Sequence, residues 1–209
     1  MPASHHDLPR RILILGIGNV LWADEGFGVR CVEAMADRFA LPENVRLLDG
    51  GTQGLYLLPF LEEAEAVIIF DAIDFGLEPG TLHVLRDGDV PAFMGAKKMS
   101  LHQTGFQEVL STAQLLGRCP DKLTLIGCQP AEIEDFGGSL RPIVSDRIPE
   151  ALSAAVAELA RWGVEARPGR TESIDLVDAS LARAAYEDGR PDAALACRSG
   201  DERFFPEDS

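Results

Sequence analysis

The chain has 209 residues, 46% of them hydrophobic and 25% charged, enough to bury one sizeable core in an ordinary globular domain. A formal net charge of −15 argues against nucleic acid as a partner, because phosphate binding needs a surface rich in lysine and arginine. Cys31, Cys119, Cys128 and Cys197 form no CxxC pair, which disfavours thiolate-bound structural zinc and a disulfide-stapled scaffold and fits a reducing cytoplasm.

The first ten residues, including His5 and His6, read as a flexible N-terminal arm. Arg10-Arg11 ahead of an apolar run imitates a twin-arginine signal, but Asp24-Glu25 interrupt the stretch too soon, so no targeting segment is expected. No run approaches the roughly 18 to 20 apolar residues a membrane span requires, so no membrane insertion is expected.

From there the pattern predicts a strand over 12–15, a helix over 28–39, a strand over 45–48, a helix over 55–62 and a strand over 66–70. A more alternating strand is expected over 81–86, then a helix over 103–116, a buried strand over 123–126 and a helix over 148–162. Beyond Gly163 the character changes: residues 165–209 hold 11 Asp or Glu against 6 Lys or Arg, with three prolines and little periodicity. The expected organisation is an arm over 1–10, one domain over 11–164 and an acidic, flexible extension over 165–209.

Strand alternating with helix is the pattern of a doubly wound α/β sheet, whose ligands bind outside the carboxyl ends of the strands. Candidate functional residues are therefore those that directly follow each apolar run.

The first strand ends in Gly16-Ile17-Gly18-Asn19, which on its own resembles the opening of a dinucleotide site, with Asp49 placed where a ribose-binding acid would stand. Leu21 occupies the position of the third glycine, and Asp24-Glu25 lie where a pyrophosphate would rest, so a nucleotide is disfavoured. Acids just before a helix also serve as caps, a role that suits Asp24, whereas Glu25 reads better as a ligand.

Asp71 follows five apolar residues at the end of a central strand, where a charge is costly unless paired or metal-bound. Asp74 reads as a solvated loop residue and His83 as structural, while His102 precedes a periodic helix at the same expected rim. Glu25, Asp71 and His102 together offer two carboxylates and an imidazole, a donor set suited to zinc, nickel or manganese that leaves open coordination positions. Covalent catalysis has little support: there is no GxSxG elbow, and no cysteine neighbours an inner histidine in sequence.

The stretch Gly16-Ile17-Gly18-Asn19-Val20-Leu21 followed by Asp24-Glu25-Gly26 resembles the GxGNxLxxDE signature of the hydrogenase maturation endopeptidases. Leu48-Asp49-Gly50-Gly51-Thr52, Asp71-Ala72-Ile73, Ser100-Leu101-His102-Gln103 and Leu123-Thr124-Leu125-Ile126-Gly127 follow in the family's order, so the resemblance covers about residues 11–164.

The resemblance implies a three-layer α/β sandwich with a central, mostly parallel five-stranded sheet flanked by helices. It also implies that the metal-contacting positions fall on Glu25, Asp71 and His102. The implied partner is the large-subunit precursor of a nickel-iron hydrogenase, cleaved once near its C-terminus after nickel insertion, by a cytoplasmic and monomeric enzyme. Nickel is then contacted through the substrate, with zinc or another divalent ion able to occupy the site in vitro. Asp49 is a candidate for positioning water or substrate. Two other readings use the same ligands: a non-catalytic nickel-sensing checkpoint or chaperone for that precursor, and a stand-alone zinc aminopeptidase. No second ligand cluster is visible for the latter.

Overall fold

The computed structural model describes residues 8–96 and 101–171, with the side chains of residues 94–96 and 101–105 outside the description. The elements, in chain order, are β1 (Ile12–Ile17), a 3-10 turn (Ala23–Gly26), α1 (Phe27–Arg38), β2 (Phe39–Ala40) and β3 (Val45–Gly51). A second 3-10 turn (Gly54–Leu57), α2 (Leu58–Glu63), β4 (Ala66–Ala72), β5 (Leu82–Arg86) and α3 (Asp89–Ala96) come next. Then come α4 (Leu101–Leu115), β6 (Lys122–Cys128), α5 (Pro142–Ser145), α6 (Ile148–Arg161) and β7 (Arg167–Pro168).

Five strands form one sheet in the order β3-β1-β4-β6-β5, with β5 antiparallel to β6 and the other pairings parallel. Every residue of β1 and β4 is buried, as continuous apolar runs covered on both faces should be. The edge strand β5 is only half-buried and alternates, as its sequence does.

Alternate side chains of β4 feed two cores. Ile68 and Phe70 pack with α1 and α6, whereas Val67 and Ile69 pack with α2 and α4. The α6 stripe of Ile148, Ala151, Leu152, Ala155 and Leu159 is fully buried, which at roughly 1.5–3 kcal/mol per large aliphatic side chain makes packing the main source of helix stability. The result is the three-layer sandwich implied by the resemblance.

The parallel strands end level with one another. Gly16 of β1 stands beside Asp49 of β3 and Phe70 of β4, and Asp71 stands beside Gly127 of β6. The segments leaving these four strands therefore gather at a single carboxyl edge.

Helix α1 begins pressed onto the sheet. A Cβ at Gly28 would lie 2.2 Å from the Phe70 carbonyl oxygen and 2.3 Å from that of Ile17, so no side chain fits there. The glycine-rich opening thus serves close helix-to-strand packing.

The structure departs from the sequence expectations at three places. The helix expected over 55–62 is divided into a 3-10 turn and α2, with Pro59 in the first turn of the α-helix. Helices α3 and α5 were not anticipated, being short and interrupted or led by proline. Residues 165–171, expected to begin the flexible extension, are instead tied to the domain. Strand β7 pairs with β2, the Gly169 N–H donates to the Arg38 carbonyl, and the Thr171 N–H donates to that of Ala36. The Thr171 hydroxyl also donates to the Phe39 carbonyl at 2.7 Å and accepts from the Leu41 N–H at 3.1 Å. Residues 172–209, with Cys197, and residues 1–7, with His5 and His6, lie outside the described residues. Among the described residues no helix is long and apolar enough to cross a membrane.

Candidate active site

Glu25 reaches the carboxyl edge because the chain after β1 folds back on itself twice. The Asn19 carboxamide oxygen accepts from the Leu21 N–H at 3.0 Å, and the Asn19 carbonyl accepts from the Trp22 N–H at 3.1 Å. The Glu25 N–H then donates to the Trp22 carbonyl at 2.9 Å. Gly18, at φ +123°, lets the turn close: a Cβ there would sit 1.8 Å from the Glu25 carbonyl oxygen. Glu25 is half-buried, and loss of water around it pushes its pKa from 4.5 up to about 7.

Asp71, only 1% exposed, lies at the end of β4. No hydrogen bond of standard geometry reaches either of its carboxylate oxygens among the described residues. Burial is the main cause that holds its pKa well above the ordinary carboxylate value; the Ala72 amide pulls in the opposite direction, and the charge of Glu25 adds to the rise. Leaving such a carboxylate ionised and uncompensated costs several kcal/mol, so the group holds a proton or meets a cation.

His102 is the second residue of α4. That helix feeds directly into β6 and packs against the 3-10 turn that follows β3, so it starts at the carboxyl edge, the rim that holds Glu25 and Asp71. Its side chain lies outside the description. Among the described residues no group of three or more His, Cys, Asp or Glu is arranged to hold a metal ion, and the imidazole of the expected set is not among them. The Asp71 oxygens beside Glu25 fit a divalent cation by donor chemistry.

Asp49 stands at the same edge, where its side chain accepts from the Gly51 N–H at 2.8 Å and so shapes the turn after β3. Asp74, expected to be merely solvated, accepts from Gly76 N–H at 2.8 Å and from the Gln129 carboxamide at 3.0 Å. His83 packs edge-on against Phe75, a structural role as expected. Cys31 and Cys128 are core thiols: burial lifts Cys31 well above the ordinary thiol range and Cys128 up to about 12.

Two residues matter here in ways the sequence does not announce. Asp24 forms no helix cap; it is fully buried and accepts backbone N–H groups from Ala131 and Glu132 at 2.9 Å each and from Arg141 at 2.6 Å. Gln129, 7% exposed, accepts from the N–H groups of Phe75 and Leu77 and thereby holds the loop that follows Asp71. The only available signal was a polar residue directly after the apolar run of β6.

The hydrogenase maturation protease family model matches residues 29–158. The hydrogenase expression/formation protein HupD of Rhodobacter capsulatus is 72% identical over 198 residues, covering 95% of this chain and 94% of its own. The hydrogenase 2 maturation protease of Escherichia coli K12 is 46% identical over 159 residues, 76% of this chain and 96% of its own. Among solved structures, the hydrogenase maturating endopeptidase HybD from E. coli superimposes with a TM-score of 0.72 at 45% identity, over 76% of this chain and 97% of that one. The chain belongs to the hydrogenase maturation protease family and is an endopeptidase.

Proposed function

We propose that this endopeptidase removes the C-terminal peptide from the nickel-loaded large-subunit precursor of a nickel-iron hydrogenase, with Glu25, Asp71 and His102 contacting the nickel that the substrate carries. The observation behind the reading is the buried Asp71 carboxylate, which makes no hydrogen bond of standard geometry among the described residues and feels the charge of Glu25. A divalent cation delivered by the substrate supplies the missing partner.

Before the substrate arrives, burial favours the protonated form of Asp71 near neutral pH and leaves Glu25, with a pKa of about 7, divided between its two forms. Nickel carried by the substrate and held by Glu25, Asp71 and His102 would favour the ionised carboxylates, so the fully charged form of the site would be reached when a loaded precursor docks. That dependence makes loading a condition of cleavage. The attacking water would be activated either by the substrate's divalent ion, which would supply Lewis-acid chemistry, or by a carboxylate of the site acting as general base. Asp49, near the end of β3 and beside Gly16, is the residue to which we assign the orienting of water or substrate backbone.

The setting we propose is the cytoplasm, with the protein acting as a monomer. Zinc or another divalent ion bound in vitro would mark the same residues without naming the physiological metal.

The test is intact-mass analysis of a cognate precursor, nickel-loaded or metal-free, after incubation with the chain and with Glu25→Gln, Asp71→Asn and His102→Ala. One C-terminal loss, seen only with nickel and abolished by each substitution, is the expected result. Stable complex formation with an unchanged mass would favour the checkpoint reading instead, and cleavage that survives all three substitutions would overturn the residue assignment.

A further inference from the structure

The 131–141 loop, which follows β6 at the carboxyl edge, is fastened to the Glu25 segment by side-chain and backbone hydrogen bonds. The fully buried Asp24 carboxylate accepts three of the loop's backbone N–H groups, from Ala131, Glu132 and Arg141. In return the Asp24 N–H donates to the Glu132 carbonyl at 3.0 Å, and the Gly137 N–H donates to the Leu21 carbonyl at 2.7 Å. Within the loop, Arg141 pairs with Asp135 at 2.8 Å.

What this framework presents is Phe136. Its ring stands edge-on to Trp22 with centroids 5.3 Å apart, yet the residue remains 53% exposed. A single exposed apolar residue is ordinary. Phe136 differs because its backbone forms a bridge to Trp22, three residues before Glu25, so its position is coupled to that of the site. Leu55 and Tyr56, 54% and 82% exposed, lie in the turn after β3 at the other end of the same edge. In the strand order, β1, which leads to Glu25, and β4, which carries Asp71, lie between β3 and β6, the strands that lead into these two apolar segments.

An endopeptidase must hold several residues of a polypeptide across its site, and a pre-ordered aromatic beside the reacting groups lowers the entropic cost of doing so. We propose that the 131–141 loop, anchored by Asp24, is a wall against which the polypeptide substrate docks, and that Phe136, backed by Trp22, receives an apolar side chain of the substrate. This rests on Glu25 and Asp71 forming the site.

The experiment is steady-state cleavage of nickel-loaded precursor by the full chain and by Phe136→Ala and Phe136→Leu. Phe136→Ala is expected to raise KM roughly tenfold while kcat stays within about twofold, and Phe136→Leu to keep most of the parent's KM. An unchanged KM in Phe136→Ala, or a loss confined to kcat, overturns the proposal. Asp24→Asn supplies a second measurement: faster hydrogen exchange at the amides of 131, 132 and 141 should accompany a raised KM, and faster exchange with KM unchanged would count against a docking role. Glu25→Gln, run alongside, separates the two assignments. Normal cleavage by Glu25→Gln together with a raised KM in Phe136→Ala would remove the carboxylate assignment and leave the docking wall standing.

Discussion

Glu25 lies near enough to the buried Asp71 carboxylate for its charge to work in the same direction as burial, which is the main cause of the raised Asp71 pKa, and against the larger opposing pull of the Ala72 amide. Two acids are thus held in a place that favours their neutral forms, a destabilising arrangement in a folding sense and a receptive one for a cation.

The pH dependence of stability follows from this. For Glu25 the folded pKa of about 7 exceeds the unfolded value of 4.5, so the folded state binds the proton more tightly. The stability this contributes is complete below pH 4.5 and is lost as pH rises to about 7. Asp71, also raised, extends the loss in the same direction. Thermal unfolding followed upward from pH 4.5 should therefore show Glu25→Gln falling less than the parent up to about pH 7, and Asp71→Asn falling less both below and above that point. Parallel curves for parent and variants would refute the assignment.

Metal dependence should follow the substrate rather than the enzyme. Treating the isolated protease with a chelator and then removing the chelator is expected to leave cleavage of a preloaded precursor unchanged, whereas stripping nickel from the precursor should abolish it. Calorimetric titration of nickel into the protease alone should show weak binding, because much of the coordination shell is supplied by the precursor.

Gly28→Ala tests the contact that sets α1 on the sheet. The added methyl would meet the Phe70 and Ile17 carbonyl oxygens, backbone atoms that cannot step aside cheaply. A loss of about 3 kcal/mol in urea unfolding is expected, with a lower kcat because Glu25 shifts with the start of the helix.

Gln129→Ala should remove the partner of the Phe75 and Leu77 N–H groups and of Asp74. With the Phe75 and Leu77 amides left without that acceptor, roughly 2–3 kcal/mol of stability is expected to go, read by urea denaturation. Hydrogen exchange should rise across residues 73–77, the loop that leaves Asp71.

Much of this was legible along the chain. Strands such as 66–70 announce themselves because a strand buried on both faces needs an unbroken apolar run, and Asp71 stands out as the charge that ends one. Edge strand β5 is equally plain from its alternation. By contrast, β2 and β7 are two residues each, too short to carry any period, and are stabilised by pairing across more than a hundred residues of sequence. The same holds for Asp24, whose sequence neighbours suggest a helix cap but whose partners lie 107 to 117 residues away.

By itself, the sequence determined the alternation of elements, the sheet they must form and the acids that end its strands, because burial periodicity and chain direction are local properties. Only the tertiary structure decided which of those acids are satisfied. Asp24 finds its donors in the loop after β6 and Asp74 one of its donors in Gln129, both brought to the carboxyl edge by the fold, whereas Asp49 accepts locally from the Gly51 N–H and Asp71, at the end of an apolar strand, makes no hydrogen bond of standard geometry among the described residues. The difference is geometric: three backbone N–H groups converge on Asp24 from the loop after β6, whereas Asp71 at the end of β4 feels the neighbouring Ala72 amide without a hydrogen bond of standard geometry among the described residues.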